Sequence, residues 1–264
     1  MNTMNRILTI LLLAVIALAD GSAIAQTNRF SYRPVIKLFD GKTLEGWVTA
    51  KGDPVTQGWE VLDGAIHLKQ GGPRGGNILT DREYENFELR FEWKIARDGN
   101  SGIKYRVQPF PGKGLLGCEF QILDDGGHKD GETSRKSTGS LYDVYPPNAS
   151  KYLKPVGEYN QSRIVVWQNQ LQHWLNGRMI VCANVGSADW YRRKSESKFR
   201  TVDGFGENSS GLIMLTDHSS EVWYRGLELR PLVPACPSRD RDGQGLADHL
   251  RNSRFLNLRC LLGR

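Results

Sequence analysis

Hydrophobic and polar positions alternate along much of this chain with the period of two that a half-buried strand requires. The longest such run is Asn86 to Ala96. There Phe87, Leu89, Phe91, Trp93 and Ile95 share one side, and Glu88, Arg90, Glu92 and Lys94 the other. Five apolar positions in strict alternation predict a strand in a sheet that is wet on one face. Ser101 to Gln108 repeats the pattern and puts Lys104 and Arg106 on its polar side. Gly117 to Asp124 follows, with Cys118, Phe120 and Ile122 facing one way and Glu119 and Gln121 the other. Further strands are expected over Val35–Phe39, Gly139–Tyr142, Ile164–Trp167, Leu171–Leu175, Met179–Ala183, Gly211–His218 and Val222–Leu232. Asp63-Gly64 between Trp59–Leu62 and Ala65–Leu68, and Asn176-Gly177, are two-residue hairpin signals. The charged stretch Ala188 to Gly206 fits a helical turn or a covering loop. Many short strands with a turn about every ten residues predict an all-β, two-sheet sandwich or jelly roll.

Two loops stand out. Gln70 to Asn77 holds Gly-Gly-Pro-Arg-Gly-Gly but lacks the Gly-Lys-Ser/Thr of a phosphate loop and opens no helix, so it reads as a flexible surface loop. Asp125 to Thr138 is long for a compact domain, which points to function.

Composition adds boundaries. With 264 residues, 39% of them hydrophobic, and 29 glycines, the chain suits one large turn-rich domain. Arg6, the apolar run Ile7–Ala19 and Ala23-Ile24-Ala25 form an export signal over 1–25, cleaved before Gln26. The apolar run is short for a membrane span, so no stable membrane anchor is expected after cleavage, and the product is expected to be periplasmic or secreted. A linker is expected over 26–34, the domain over 35–232, and a basic, poorly ordered tail over 233–264. The net charge of +6 is modest, and the six Arg and three Asp from Cys236 onward supply half of it. No basic stripe with interleaved aromatics marks the body, which argues against nucleic acid as a partner. Cys118 and Cys182 read as buried free thiols, while the pairing of the four cysteines, with Cys236 and Cys260, stays open. No zinc spacing occurs. Asp240–Asp248 loosely follows a calcium loop, but Arg251 stands where the bidentate Glu belongs. No cofactor is evident; calcium on a loop such as Asp124-Asp125 is possible but unsupported.

The Glu119–Asp124 stretch is similar to the Glu-x-Asp-x-x-Glu signature of retaining jelly-roll glucanases, with Gln121 and Asp124 as departures. A fuller resemblance rests on six motifs in order. They are Leu38–Trp47, Ser101–Arg106, Glu119–Asp124, Thr138–Tyr142, His173–Gly177, and Asp217-His218 with Trp223–Arg225. Together, over about Pro34 to Leu232, the chain resembles the 3-keto-disaccharide hydrolase domain family. That resemblance implies a concanavalin-like jelly roll acting on 3-keto-glycosides, with a carbohydrate as partner.

Such chemistry needs three groups. A ketone at C3 acidifies the C2 hydrogen, so a base removes it and charge rests on O3. The C1 oxygen then leaves and water adds back. The site therefore needs a base, an enolate stabiliser and an acid. Glu119 and His218 are the base and acid candidates, and Lys104 and Arg106 the cations. Gln121, Tyr142, Trp174 and Asp124 are expected to bind the sugar; no metal ligand is assigned. The alternatives are a non-catalytic carbohydrate-binding module or lectin-like domain, and a retaining glucanase that uses Glu119 with Asp124.

Overall fold

The computed structural model describes residues 30–235, and they form two packed antiparallel sheets. Strands β1 (Phe30–Tyr32), β2 (Ile36–Lys37), β4 (Trp59–Leu62), β5 (Ala65–Leu68), β7 (Phe87–Ile95), β10 (Asn160–Trp167), β11 (Gln170–Leu175), β12 (Arg178–Asn184) and β14 (Val222–Pro234) make the nine-stranded sheet. Its order is β12-β11-β10-β7-β14-β5-β4, with β1 and β2 also paired to β14. The five-stranded sheet runs β3 (Trp47–Thr49), β6 (Ile78–Thr80), β13 (Leu212–Leu215), β8 (Asn100–Phe110), β9 (Gly114–Leu123).

The alternation read from the sequence is what closes the sandwich. All five apolar residues of β7 are buried, and they meet Ile103, Tyr105, Cys118, Phe120 and Ile122 from the facing sheet in one core. Burying side chains of this size stabilises by about 1.5–3 kcal/mol each. Both predicted hairpins form. Asp63 and Gly64 (φ 51° and 72°) and Asn176 and Gly177 (φ 47° and 82°) take the left-handed pairs that such turns require.

Several expectations change. Phe30–Tyr32, expected within a linker, pairs with Leu232–Pro234 as an edge strand. Short strands β3 and β6 carry no alternation long enough to read. Gly139–Tyr142 is not a strand but a run of bridges and turns along the free edge of β9. The charged stretch contains helix α1 (Ala188–Ser195), capped by Ser187 Oγ accepting from Trp190 N. Its Trp190 is fully buried among Tyr145 and Phe205. The glycine-rich loop is held in place, because Trp59 Nε1 donates to Gly76 O at 2.8 Å and Arg74 pairs with Asp217.

Cys118 is a buried free thiol, as expected; Cys182 instead is disulfide-bonded. Cys236, Cys260, the export signal and the calcium-like stretch Asp240–Asp248 lie outside the described residues.

Candidate active site

The outer face of the five-stranded sheet carries Lys104, Glu119 and Gln121 of the candidate residues. On β9 the odd positions place Glu119 and Gln121 there, while Cys118, Phe120 and Ile122 go to the core. Both polar residues are nevertheless buried, at 5% and 2% exposure. On the neighbouring strand, Lys104 pairs with Glu119 in register, and its Nζ lies 3.9 Å from Glu119 Oε2. Glu119 Oε1 is buried with no hydrogen-bond partner among the described residues. It lies over Gly102, where any Cβ would collide with it. A buried acceptor left without a donor costs on the order of 1–3 kcal/mol, so Oε1 is poised for a ligand or a proton. Gln121 Nε2 donates to Asn100 Oδ1 at 2.8 Å, which fixes that amide at the strand end.

His218 enters from the loop after β13. Asp217 N donates to Asn77 Oδ1 at 2.8 Å and Arg74 Nε to Asp217 Oδ2 at 3.2 Å, so the glycine-rich loop anchors the turn that carries His218. Partial burial lowers the pKa of His218 below its ordinary value; Glu119 opposes that shift, and Lys104, Lys198 and His128 reinforce it. Tyr142 borders Glu119 on the other side, its backbone N donating to Glu119 O at 3.0 Å. Burial and nearby carboxylates push its phenol up to about 12.

Three expected site residues, Arg106, Trp174 and Asp124, fall elsewhere or serve otherwise. Arg106 does not share a face with Lys104. A bulge between Tyr105 and Gln108, with Arg106 at φ 53°, turns its side chain inward. Its guanidinium donates to the carbonyls of Gly206 (3.1 Å) and Gln168 and is 1% exposed. Trp174 lies on the outer face of the opposite sheet, under the Arg163 guanidinium at 3.9 Å, clustered with Val165, Trp167 and Leu232. Asp124 has the opposite parity to Glu119, and its carboxylate accepts from the backbone of Asp98 (2.8 Å), Gly126 (3.2 Å) and Gly127 (3.1 Å). That saturates it as a turn anchor and removes the carboxylate pair a retaining glucanase needs. Asp125 is likewise taken, by Lys151 and by Thr138 N. Among the described residues no group of three or more His, Cys, Asp or Glu is arranged to hold a metal ion.

Sequence reading missed three residues. Gly102 makes room for the Glu119 carboxylate. His128, on the long polar loop, accepts from Asp130 N at Nδ1, which puts the proton of its neutral form on Nε2. Lys198, just past α1, sets its ammonium 4.2 Å from the Tyr142 ring centroid. Burial lowers its pKa too, although much of the residue is exposed. The Ser-Gly-Ile-Lys motif was a signal for Gly102. Nothing local marks Lys198, which tertiary packing brings to the site.

Fold and site together define a two-sheet jelly roll with a buried, unsatisfied carboxylate on the outer face of one sheet. The chain belongs to the 3-keto-alpha-glucoside-1,2-lyase-like domain family, whose profile matches residues 34–230. A 3-keto-disaccharide hydrolase of Bacteroides thetaiotaomicron is 31% identical over 228 residues, covering 75% of this chain and 78% of that one. Two crystal structures from Parabacteroides distasonis, each of a protein named only provisionally as a glycosyl hydrolase, share the fold. One has a TM-score of 0.67 at 31% identity, covering 74% of this chain and 92% of that one. The other has a TM-score of 0.60 at 26% identity, covering 75% of this chain and all of that one.

Proposed function

We propose that this protein cleaves the glycosidic bond of 3-keto-glycosides, by elimination followed by addition of water. The observation that carries the reading is Glu119 Oε1, a buried carboxylate oxygen without a donor, beside Lys104 and facing the His218 loop. A free buried acceptor can take a sugar hydroxyl or a proton, and a base requires that free lone pair. Glu119 takes the C2 proton, and His218 as imidazolium protonates the departing C1 oxygen. The same imidazole, now neutral, then accepts a proton from the water that adds at C1, and Glu119 returns its proton to C2. Gln121 and Tyr142 orient the sugar hydroxyls. The names of the relatives support the same substrate class.

The test compares a C3-oxidised disaccharide with its unoxidised parent, following released sugar by chromatography. Cleavage of the keto form alone is expected, lost in Glu119→Gln with the fold intact. Binding of sugars without turnover of any keto-sugar would return the lectin-like reading. We also propose export to the periplasm or beyond. The Ala23-Ile24-Ala25 cleavage pattern supports this, as does a disulfide at Cys182, since such bonds persist in oxidising compartments. Sequencing of the secreted protein is expected to begin at Gln26.

A further inference from the structure

Across the five-stranded sheet the site groups stand in a fixed order. His218 follows β13. Gly102 and Lys104 lie on β8 and Glu119 on β9. Tyr142 runs along the outer edge of β9, and Lys198 sits over its ring. One carboxylate therefore has a histidine on one flank and a phenol with an ammonium on the other. The two lysines differ in what they hold. Lys104 is committed to Glu119 at 3.9 Å. The Lys198 ammonium makes no ion pair or hydrogen bond among the described residues and lies over the rings of Tyr142 and Phe199, 4.2 and 5.1 Å from their centroids. Its backbone is fixed: Lys198 N donates to Asp143 Oδ2 at 2.6 Å, and Asp143 is held by Arg135 Nε at 3.0 Å. A spare, partly desolvated cation has been set in place next to the base.

We propose that Lys198 and Tyr142 form the oxyanion site that holds O3 of the keto-sugar, with His218 at the glycosidic oxygen on the other flank. This rests on the keto-glycoside reading above. In the pyranose ring C2 lies between C1 and C3, so a base beneath C2 has the two reacting oxygens on opposite sides. The flanks of Glu119 reproduce that arrangement. The C2–H bond breaks, its proton goes to Glu119 Oε1, and its electron pair forms C2=C3 while the carbonyl pair moves onto O3. The pair then returns from O3, C1=C2 forms, the C1–O bond breaks, and the leaving oxygen takes a proton from His218. The negative charge thus passes from Glu119 to O3. Lys104 stands where that charge starts and Lys198 where it arrives. With its phenol held up to about 12, Tyr142 stays protonated and donates to O3 throughout.

The experiment uses the full chain and two 3-keto-glucosides, one with a sugar as leaving group and one with 4-nitrophenol, each with C2 protium or deuterium. Lys198→Met keeps the stem and drops the charge; the residue is exposed, so the fold is expected to survive, checked by its thermal midpoint. A loss in kcat of about 100- to 1000-fold, the usual cost of one oxyanion donor, is expected on both substrates, with the deuterium effect retained. Lys198→Arg is expected to recover part of it. His218→Ala is expected to lose the disaccharide but still to release 4-nitrophenol in a single turnover, since that leaving group needs no acid and only the later addition of water lacks its base. A Lys198→Met loss confined to the disaccharide would put Lys198 at the glycosidic oxygen and overturn the assignment; an unchanged kcat would overturn it too. Failure of the wild-type protein to prefer the keto-sugar would instead remove the reading on which the inference stands, and that shows in the wild type alone.

Discussion

His218 and His173 are both histidines with lowered pKa values, and the cause of each shift sets a different expectation. His218 is held down by partial burial and by nearby lysines. As the proposed acid, it would work in its protonated form, so kcat/KM on a poor leaving group should fall as pH rises through a value below the ordinary histidine range. A limb of the opposite sign in the pH–rate profile would make the neutral imidazole the base. His173 is fully buried between Tyr105 Oη (2.8 Å) and Gly139 O (2.9 Å), and desolvation lowers it to about 4. The unfolded chain takes up that proton near 6.5, so this contribution to stability is complete above 6.5 and is lost as pH falls toward 4. The loss amounts to about 3 kcal/mol. Urea midpoints at pH 7 and 4.5 check it, and His173→Gln should flatten the difference. His173-Trp174 was legible as a motif but not as a role, because parity sends the histidine into the core and the tryptophan to the far face.

At the scale of elements, β8 and β9 explain most of what the sequence made visible and most of what it hid. Strict alternation on β9 placed Glu119 and Gln121 correctly on one face. On β8 the same rule failed after Tyr105, because one bulge residue reverses the side-chain direction and sends Arg106 inward. Alternation also says nothing about close approach, so it carries no sign that Gly102 is the floor beneath the Glu119 carboxylate. Gly102→Ala should cost activity about as heavily as losing the base, with only a small shift in melting temperature, since Oε1 must move and the backbone need not. Asp124 gives the reverse pattern. Asp124→Ala strands three backbone amides and should lower stability by about 1–3 kcal/mol in urea, with KM on a keto-sugar changed little. A large KM effect at unchanged stability would restore its expected role in binding sugar.

For the whole molecule, the two-sheet class was legible because most of its long strands alternate, and the site's second flank was not, because Lys198 and His128 ride on loops positioned only by packing. The core that joins the sheets also supplies a probe. Cys118 lies fully buried between them, its thiol pushed up to about 12 by burial. Alkylation of Cys118 in the native protein should therefore proceed only through opening of the sandwich, and its rate should track global stability across denaturant.

The pairing of Phe30 with Pro234 makes the described chain nearly a closed ring, with both ends side by side on the sheet that does not carry Glu119. A circular permutant is a natural corollary: a short linker can join those ends, and the exposed turn at Pro111–Lys113 can be cut open to give new ones. A surface tether at Phe30 or Pro234 would hold the described sandwich by that sheet and leave the face that carries Glu119 turned outward.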